Sequence, residues 1–394
     1  MRQVRWASWM VGLAMALAAG GVRPVAADVT SDRAAAILDW PSVIFAEESF
    51  LSPADTFGIN TLLQVSNTSE DPVHIHCFYE NANPHCSNTG EVCYAAEDCC
   101  DPMTGCGLCL PGWNETDFRV QITPFQPLGW LASDGMAGYS TFPPKQFGKF
   151  PIDGVSNFGI GGSSNAGSRI PPVPEEPFLG SLRCIAVDED GIPVDRNVLK
   201  GEATLGFFAE DPDPDFINVG KSNAIGIQAI EGAVNDDNVL VLGGPEPEYN
   251  GCPNVLIINH FFDFAVDPII DDGLDSQIVT ILELVPCSED YLRQIPGGAV
   301  VQYLVYNEFE TRFSTSRPMQ CKQFSLLSNI DTTQNDRSIW SAGVQGTLTG
   351  QTRANPIGGG LIGVAHELHE QAGLADFNIH FQGDREAPDF IVLP

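Results

Sequence analysis

The sequence predicts an all-β protein: two tandem antiparallel β-sandwich (Ig-like) domains, the first carrying a small disulfide-rich insert. Three observations predict it. Short runs of alternating or β-branched residues recur along the chain, bounded by Asn, Asp, Gly or Pro. The 39 Gly and 29 Pro punctuate the chain too often for long helices. The second half also reads as a diverged copy of the first, and internal self-similarity bears directly on architecture.

The elements follow in chain order. Residues 1–27 read as a secretory signal peptide. Arg2 and Arg5 supply a positive start, Trp9 to Ala19 an apolar run too short to span a bilayer, and Val25-Ala26-Ala27 small residues for cleavage before Asp28. The chain from Asp28 onward is then exported, with no membrane span. Residues 28–245 form the expected first domain and 253–394 the second, with Gly243-Gly244-Pro245-Glu246-Pro247 as linker. Strand signals include 61–65, 73–79 and 239–242. The best helix candidate is short, around residues 364–372.

The two copies are collinear. Residues 61–71 align with 280–290, Tyr79 with Tyr306, Glu115 to Phe118 with Glu310 to Phe313, and 239–242 with 390–393. Between Tyr79 and Glu115 the first copy carries extra residues, which places an insert at 84–112. It holds Cys86, Cys93, Cys99, Cys100, Cys106 and Cys109. So short a stretch cannot build a hydrophobic core, so disulfides must hold it. A second insertion, 134–177, is rich in Gly, Pro and Ser and reads as a long surface loop.

Composition narrows the function classes. Acidic residues number 51 against 19 basic, a formal net charge of −32. Such a surface repels nucleic-acid phosphates and anionic lipid. With 43% hydrophobic residues and 23 Phe, the chain is not disordered. Eleven Cys in an oxidising compartment imply disulfides with at least one thiol left over. Outside the insert the expected pairs are Cys77–Cys184 and Cys287–Cys321, each within one copy, leaving Cys252. Inside it, spacing alone leaves every pairing open.

Two resemblances add to this reading. The insert, with its adjacent Cys99-Cys100, resembles a knottin, which implies Cys86–Cys100, Cys93–Cys106 and Cys99–Cys109. In its general run, including Asn67-Thr68-Ser69 and Asn307-Glu308-Phe309-Glu310, the chain resembles secreted β-rich proteins of environmental bacteria. That resemblance spans most of the chain after residue 27 and implies a bacterial exported protein. It brings no activity with it.

Few constellations carry chemistry. His366-Glu367-Leu368-His369-Glu370 comes nearest to a zinc-protease motif, but H-E-x-x-H needs its second His four residues on. His366 and Glu370 with His380 could still bind zinc; the broken spacing favours a polar face on a short exposed helix. His74 and His76 alternate on one strand face, so with His85 nearby they could chelate copper or zinc. Since Val73, Ile75 and Cys77 must face the core, this pair reads as a polar outer face. Three acidic clusters offer oxygen ligands for calcium, a candidate cofactor: Asp188, Glu189 and Asp190 with Asp195; Asp211, Asp213 and Asp215; Asp271, Asp272 and Asp275. Asp190-Gly191 is equally a hairpin-turn signal. No nucleophile elbow, P-loop or dinucleotide fingerprint occurs. Trp113, Trp130 and Trp340 offer sugar-stacking surfaces, although core packing suits the last two better.

The expected function is therefore a secreted or cell-surface, non-enzymatic structural or adhesion protein, its partner a protein or carbohydrate. The alternatives are a calcium- or carbohydrate-binding module and a metal-dependent hydrolase using His366, Glu370 and His380.

Overall fold

The computed structural model describes residues 33–47, 57–93, 96–101, 103–135, 170–209, 216–234, 237–270, 276–331, 338–370 and 373–394. The expected signal peptide at 1–27, most of the expected 134–177 loop and the acidic clusters at 211–215 and 271–275 lie outside them.

The chain is all-β, as expected, but the two tandem Ig-like β-sandwich domains are corrected. The strands form a propeller-like arrangement of five small sheets. The first sheet contains β1 (Ile37–Phe45), β3 (Val73–Asn81), β8 (Asn114–Ile122), β10 (Phe178–Val187) and β13 (Ile225–Ile227), in the order β13-β1-β10-β3-β8. The second contains β2 (Phe57–Asn67), β9 (Pro127–Leu131), β11 (Leu199–Ala209) and β12 (Phe216–Asn223), in the order β12-β11-β2-β9. The third contains β14 (Val239–Leu242), β18 (Glu289–Asp290) and β26 (Asp389–Val392).

The fourth sheet contains β15 (Pro253–Phe261), β19 (Gly298–Asn307), β20 (Arg312–Gln320), β22 (Thr349–Ile357) and β25 (His380–Asp384), in the order β20-β19-β22-β15-β25. The fifth contains β16 (Ala265–Val266), β17 (Gln277–Pro286), β21 (Gln323–Leu326), β23 (Leu361–His369) and β24 (Gly373–Asn378). Read from the opposite edge, the fourth sheet repeats the strand order of the first. The path β24-β23-β17-β21 likewise repeats that of the second.

The halves share a strand order but not a boundary. In the third sheet, β14 of the first half pairs antiparallel with β26, the last strand of the chain, which pairs parallel with β18. One core cluster runs from Ala35 through Cys184 to Tyr291 and Leu393. The physical reason lies in β1 and β10. Every residue of both is buried, the pattern of strands covered on two faces rather than one. The second half supplies the second cover. Tyr291 stacks on Phe78 with ring centroids 4.0 Å apart. Fully buried Arg183 lies 2.5 Å from Asp39 and donates to the Pro286 carbonyl at 2.9 Å and to the Tyr291 hydroxyl. That hydroxyl donates in turn to Glu80. A buried guanidinium needs such partners, and two of these come from beyond the expected boundary. Pro41 is tolerated within β1 because the pairing with β10 is interrupted between Trp40 and Val43.

Residues 364–369 form no helix; they belong to β23, flanked by β17 and β24. Helical propensity yields here to a central place in a sheet. Residues 371 and 372 lie outside the described set. Among the described residues the one α-helix is α1 (Leu327–Ile330).

Cys77–Cys184 is formed as expected, across register partners of β3 and β10. Cys287 pairs with Cys252 instead of Cys321, which is the buried free thiol. Cys252 directly precedes β15 and Cys287 directly follows β17, and their Cα atoms lie 6.6 Å apart. In the insert the knottin-derived pairing is replaced by Cys86–Cys99, Cys93–Cys109 and Cys100–Cys106. Cys100 and Cys106 face each other in a hairpin of β5 (Cys100–Asp101) and β6 (Gly105–Cys106). Cys86 and Cys109 are likewise register partners in β4 (His85–Cys86) and β7 (Cys109–Leu110), but bond elsewhere. The insert leaves the sheet at the end of the β3–β8 hairpin, where Asn81 and Asn114 are partners.

Candidate ligand cleft

A cleft of about 600 Å³ opens between the second and fifth sheets, and so between the two halves. Strand alternation builds its walls, because residues two apart share a face. Leu205 and Phe207 of β11 form part of one side; Val279 and Ile281 of β17 form part of the other, with Phe324 of β21 and Leu374 of β24. Phe264 stands at the lining as well, 49% exposed and held at φ +69°. A phenylalanine in the left-handed region is uncommon and costs conformational energy. Its N–H is anchored on the Ile278 carbonyl. The Asn218 amide of β12 donates to the Leu374 carbonyl, so β12 and β24 meet beside the cleft.

His366, Leu368 and Glu370 share a face by the same alternation and all reach the cleft, as does His369. The histidines are already engaged. His366 Nδ1 lies 2.6 Å from Asp376 and Nε2 lies 2.6 Å from Glu283. Burial disfavours the imidazolium, but Glu283 and Asp376 outweigh it and push His366 up to about 10. Lys322 Nζ sits 2.6 Å from the other Glu283 oxygen and also donates to the carbonyls of Pro41 and Gly180. Ser42 donates to Glu283 at 2.8 Å. Burial alone would raise Glu283; Lys322 and His366 instead hold it at about 2. His369 lies between Asp267, at 2.8 Å, and Glu367, at 2.9 Å. Burial opposes its charge, yet the two carboxylates raise it above its ordinary value. Glu370 is exposed and accepts the Gln277 N–H at 3.2 Å.

The candidate zinc set is not assembled. Both ring nitrogens of His366 are taken, and His380 lies exposed on β25 of the fourth sheet, opposite Ile257. The calcium set dissolves into turn chemistry. Asp188 Oδ1 accepts the N–H groups of Asp190 and Ile192 around Gly191 at φ +93°, and Asp195 accepts the Gly232 N–H. Among the described residues, two groups of ligand-type atoms cluster closely: Cys86, Cys93 and Cys99, and Cys252, Cys287 and Asp389. Their sulfurs are in disulfides.

His74 and His76 do not make a polar outer face. His76 is buried beside Phe78 and 2.8 Å from Asp117, because the second half covers that side of the first sheet. Burial lowers its pKa. His85 pairs instead with Glu175. Trp130 and Trp340 are core residues, their indole N–H groups donating to Tyr79 and Thr352. Trp113 lies partly buried beside Tyr291.

Sequence reasoning marked His366 and Glu370 but missed the cleft that contains them. The available signal was partial: 278–285 is an apolar, β-branched run that reads as a strand, whereas His-Glu-Leu-His-Glu at 366–370 carries no period-two pattern. No helix among the described residues is long and apolar enough to cross a membrane. No protein-family model and no curated protein matches the chain.

Proposed function

We propose that this is an exported, non-enzymatic binding protein that holds an apolar small molecule in the cleft between its halves. The observation that carries this reading is the composition of the cleft. Its walls are mainly aliphatic and phenylalanine side chains, the usual lining of a small-molecule site. Its buried ionisable groups are locked into mutual ion pairs. A histidine with both nitrogens bound to carboxylates is a poor zinc ligand or general base, which supports binding over metal-dependent hydrolysis. Ten disulfide-bonded cysteines suit an oxidising compartment.

The test uses a neutral fluorescent apolar probe, N-phenyl-1-naphthylamine. Saturable binding at one site is expected. Val279→Trp should abolish it, because the half-exposed Val279 points into the cleft and a larger side chain fills it. No binding by the parent, or unchanged binding by the variant, overturns the reading. A second reading, adhesion through the disulfide-rich insert, is supported by Met103, Leu108 and Leu110, which stand exposed on it.

A further inference from the structure

We propose that the cleft selects a cationic amphiphile, an alkyl- or arylammonium whose apolar tail enters the cleft while its charged head stays at the mouth. This rests on the binding reading above and narrows its ligand. Three phenylalanines, Phe207, Phe264 and Phe324, line the cleft together with the exposed carboxylate of Glu370. Aromatic faces and a carboxylate are the two groups that attract an ammonium without needing to donate a hydrogen bond.

The neighbouring charges point the same way. Around the cleft lie Asp267, Glu283, Glu367, Glu370 and Asp376, against Lys322, His366 and His369. Even with both rings protonated, the carboxylates outnumber the cations. The cations also have no donor free for a ligand. Each histidine is held between two carboxylates, and Lys322 is held by Glu283 and two backbone carbonyls. Among the described residues, a fatty acid's carboxylate would therefore meet Glu370 and none of these cations with a donor to spare, and an unpaired charge is costly to desolvate. A quaternary ammonium is weakly hydrated and meets both aromatic rings and negative charge. The net charge of −32 draws cations toward the molecule in the same sense.

Three ligands with the same tail separate the possibilities: decyltrimethylammonium, decanol and decanoate, each below its micellar concentration, titrated calorimetrically into the chain from Asp28 onward. The expected order is ammonium first, alcohol second and decanoate last, with about tenfold between the charged pair. Glu370→Gln and Phe264→Ala should each shrink that ratio by about threefold or more while decanol binding holds. Val279→Trp should remove binding of all three. Equal or tighter binding of decanoate, or a ratio unmoved in Glu370→Gln, overturns the selectivity and leaves the apolar cleft standing. Ammonium binding that persists in Val279→Trp is adsorption to the acidic surface and also overturns it. If none of the three binds, the binding reading itself falls.

Discussion

At the scale of single residues, the densest interactions surround Glu283. It is buried with Lys322, His366 and Ser42 around it, and the Ser42 contact ties β1 of the first sheet to β17 of the fifth. Removing one partner of a buried ion pair leaves the other charged and unsolvated, at a cost of about 3–5 kcal/mol. Lys322→Met should therefore destabilise strongly, measured by thermal unfolding. The pH dependence follows from the two shifts. Glu283 falls from 4.5 to about 2, so the folded state holds the proton less tightly than the unfolded chain. Its contribution is present above 4.5 and is lost as pH falls through 2. His366 rises from 6.5 to about 10, so its contribution is present below 6.5 and is lost as pH climbs through 10. A plot of stability against pH should decline on both flanks. In Glu283→Gln the acid flank should flatten and the alkaline decline should move toward 6.5; flanks unchanged by that substitution would refute the assignment.

At the scale of elements, β23 and the insert show opposite kinds of legibility. The run from His366 to Glu370 contains good helix formers and a near-miss of a helical metal motif, so local chemistry argued for a helix. Its neighbours β17 and β24 decided otherwise, and neighbours cannot be read from a segment alone. The insert was legible in extent because six Cys and few apolar residues admit one kind of stability. Its pairing was not, because hairpin closure between Cys100 and Cys106 competes with an interlocked arrangement of the same residues. Since β3 and β8 already pair at Asn81 and Asn114, the sheet closes without it. Replacing residues 86–110 by a short Gly/Ser turn keeps Asn83 and His85 with their Glu175 partner. The expected outcome is a folded chain whose main unfolding transition moves by only a few degrees, about 1 kcal/mol or less for a chain of this size. Loss of the whole transition would place the insert within the core.

At the scale of the whole molecule, the sequence conveyed the all-β character and the Cys77–Cys184 bridge. It concealed how the halves meet, because pairing of β14 with β26 and burial of Arg183 against Pro286 depend on contacts far apart in the chain. The consequence can be tested at the C-terminus. Ile391 and Leu393 are buried, and the Asp389 carboxylate accepts from Ser288 and the Gly360 N–H and pairs with Arg385. Deleting residues 389–394 removes β26, uncovers Leu240 and Leu242 of β14, and leaves β18 unpaired. Each large aliphatic side chain returned to water costs about 1.5–3 kcal/mol, and the loss falls on the seam where both halves depend on one strand. Calorimetry of the parent should give one cooperative transition, lowered as a whole by the truncation. Two independent domains would instead give two transitions, with only the second moved, and that result would restore a boundary near residue 250.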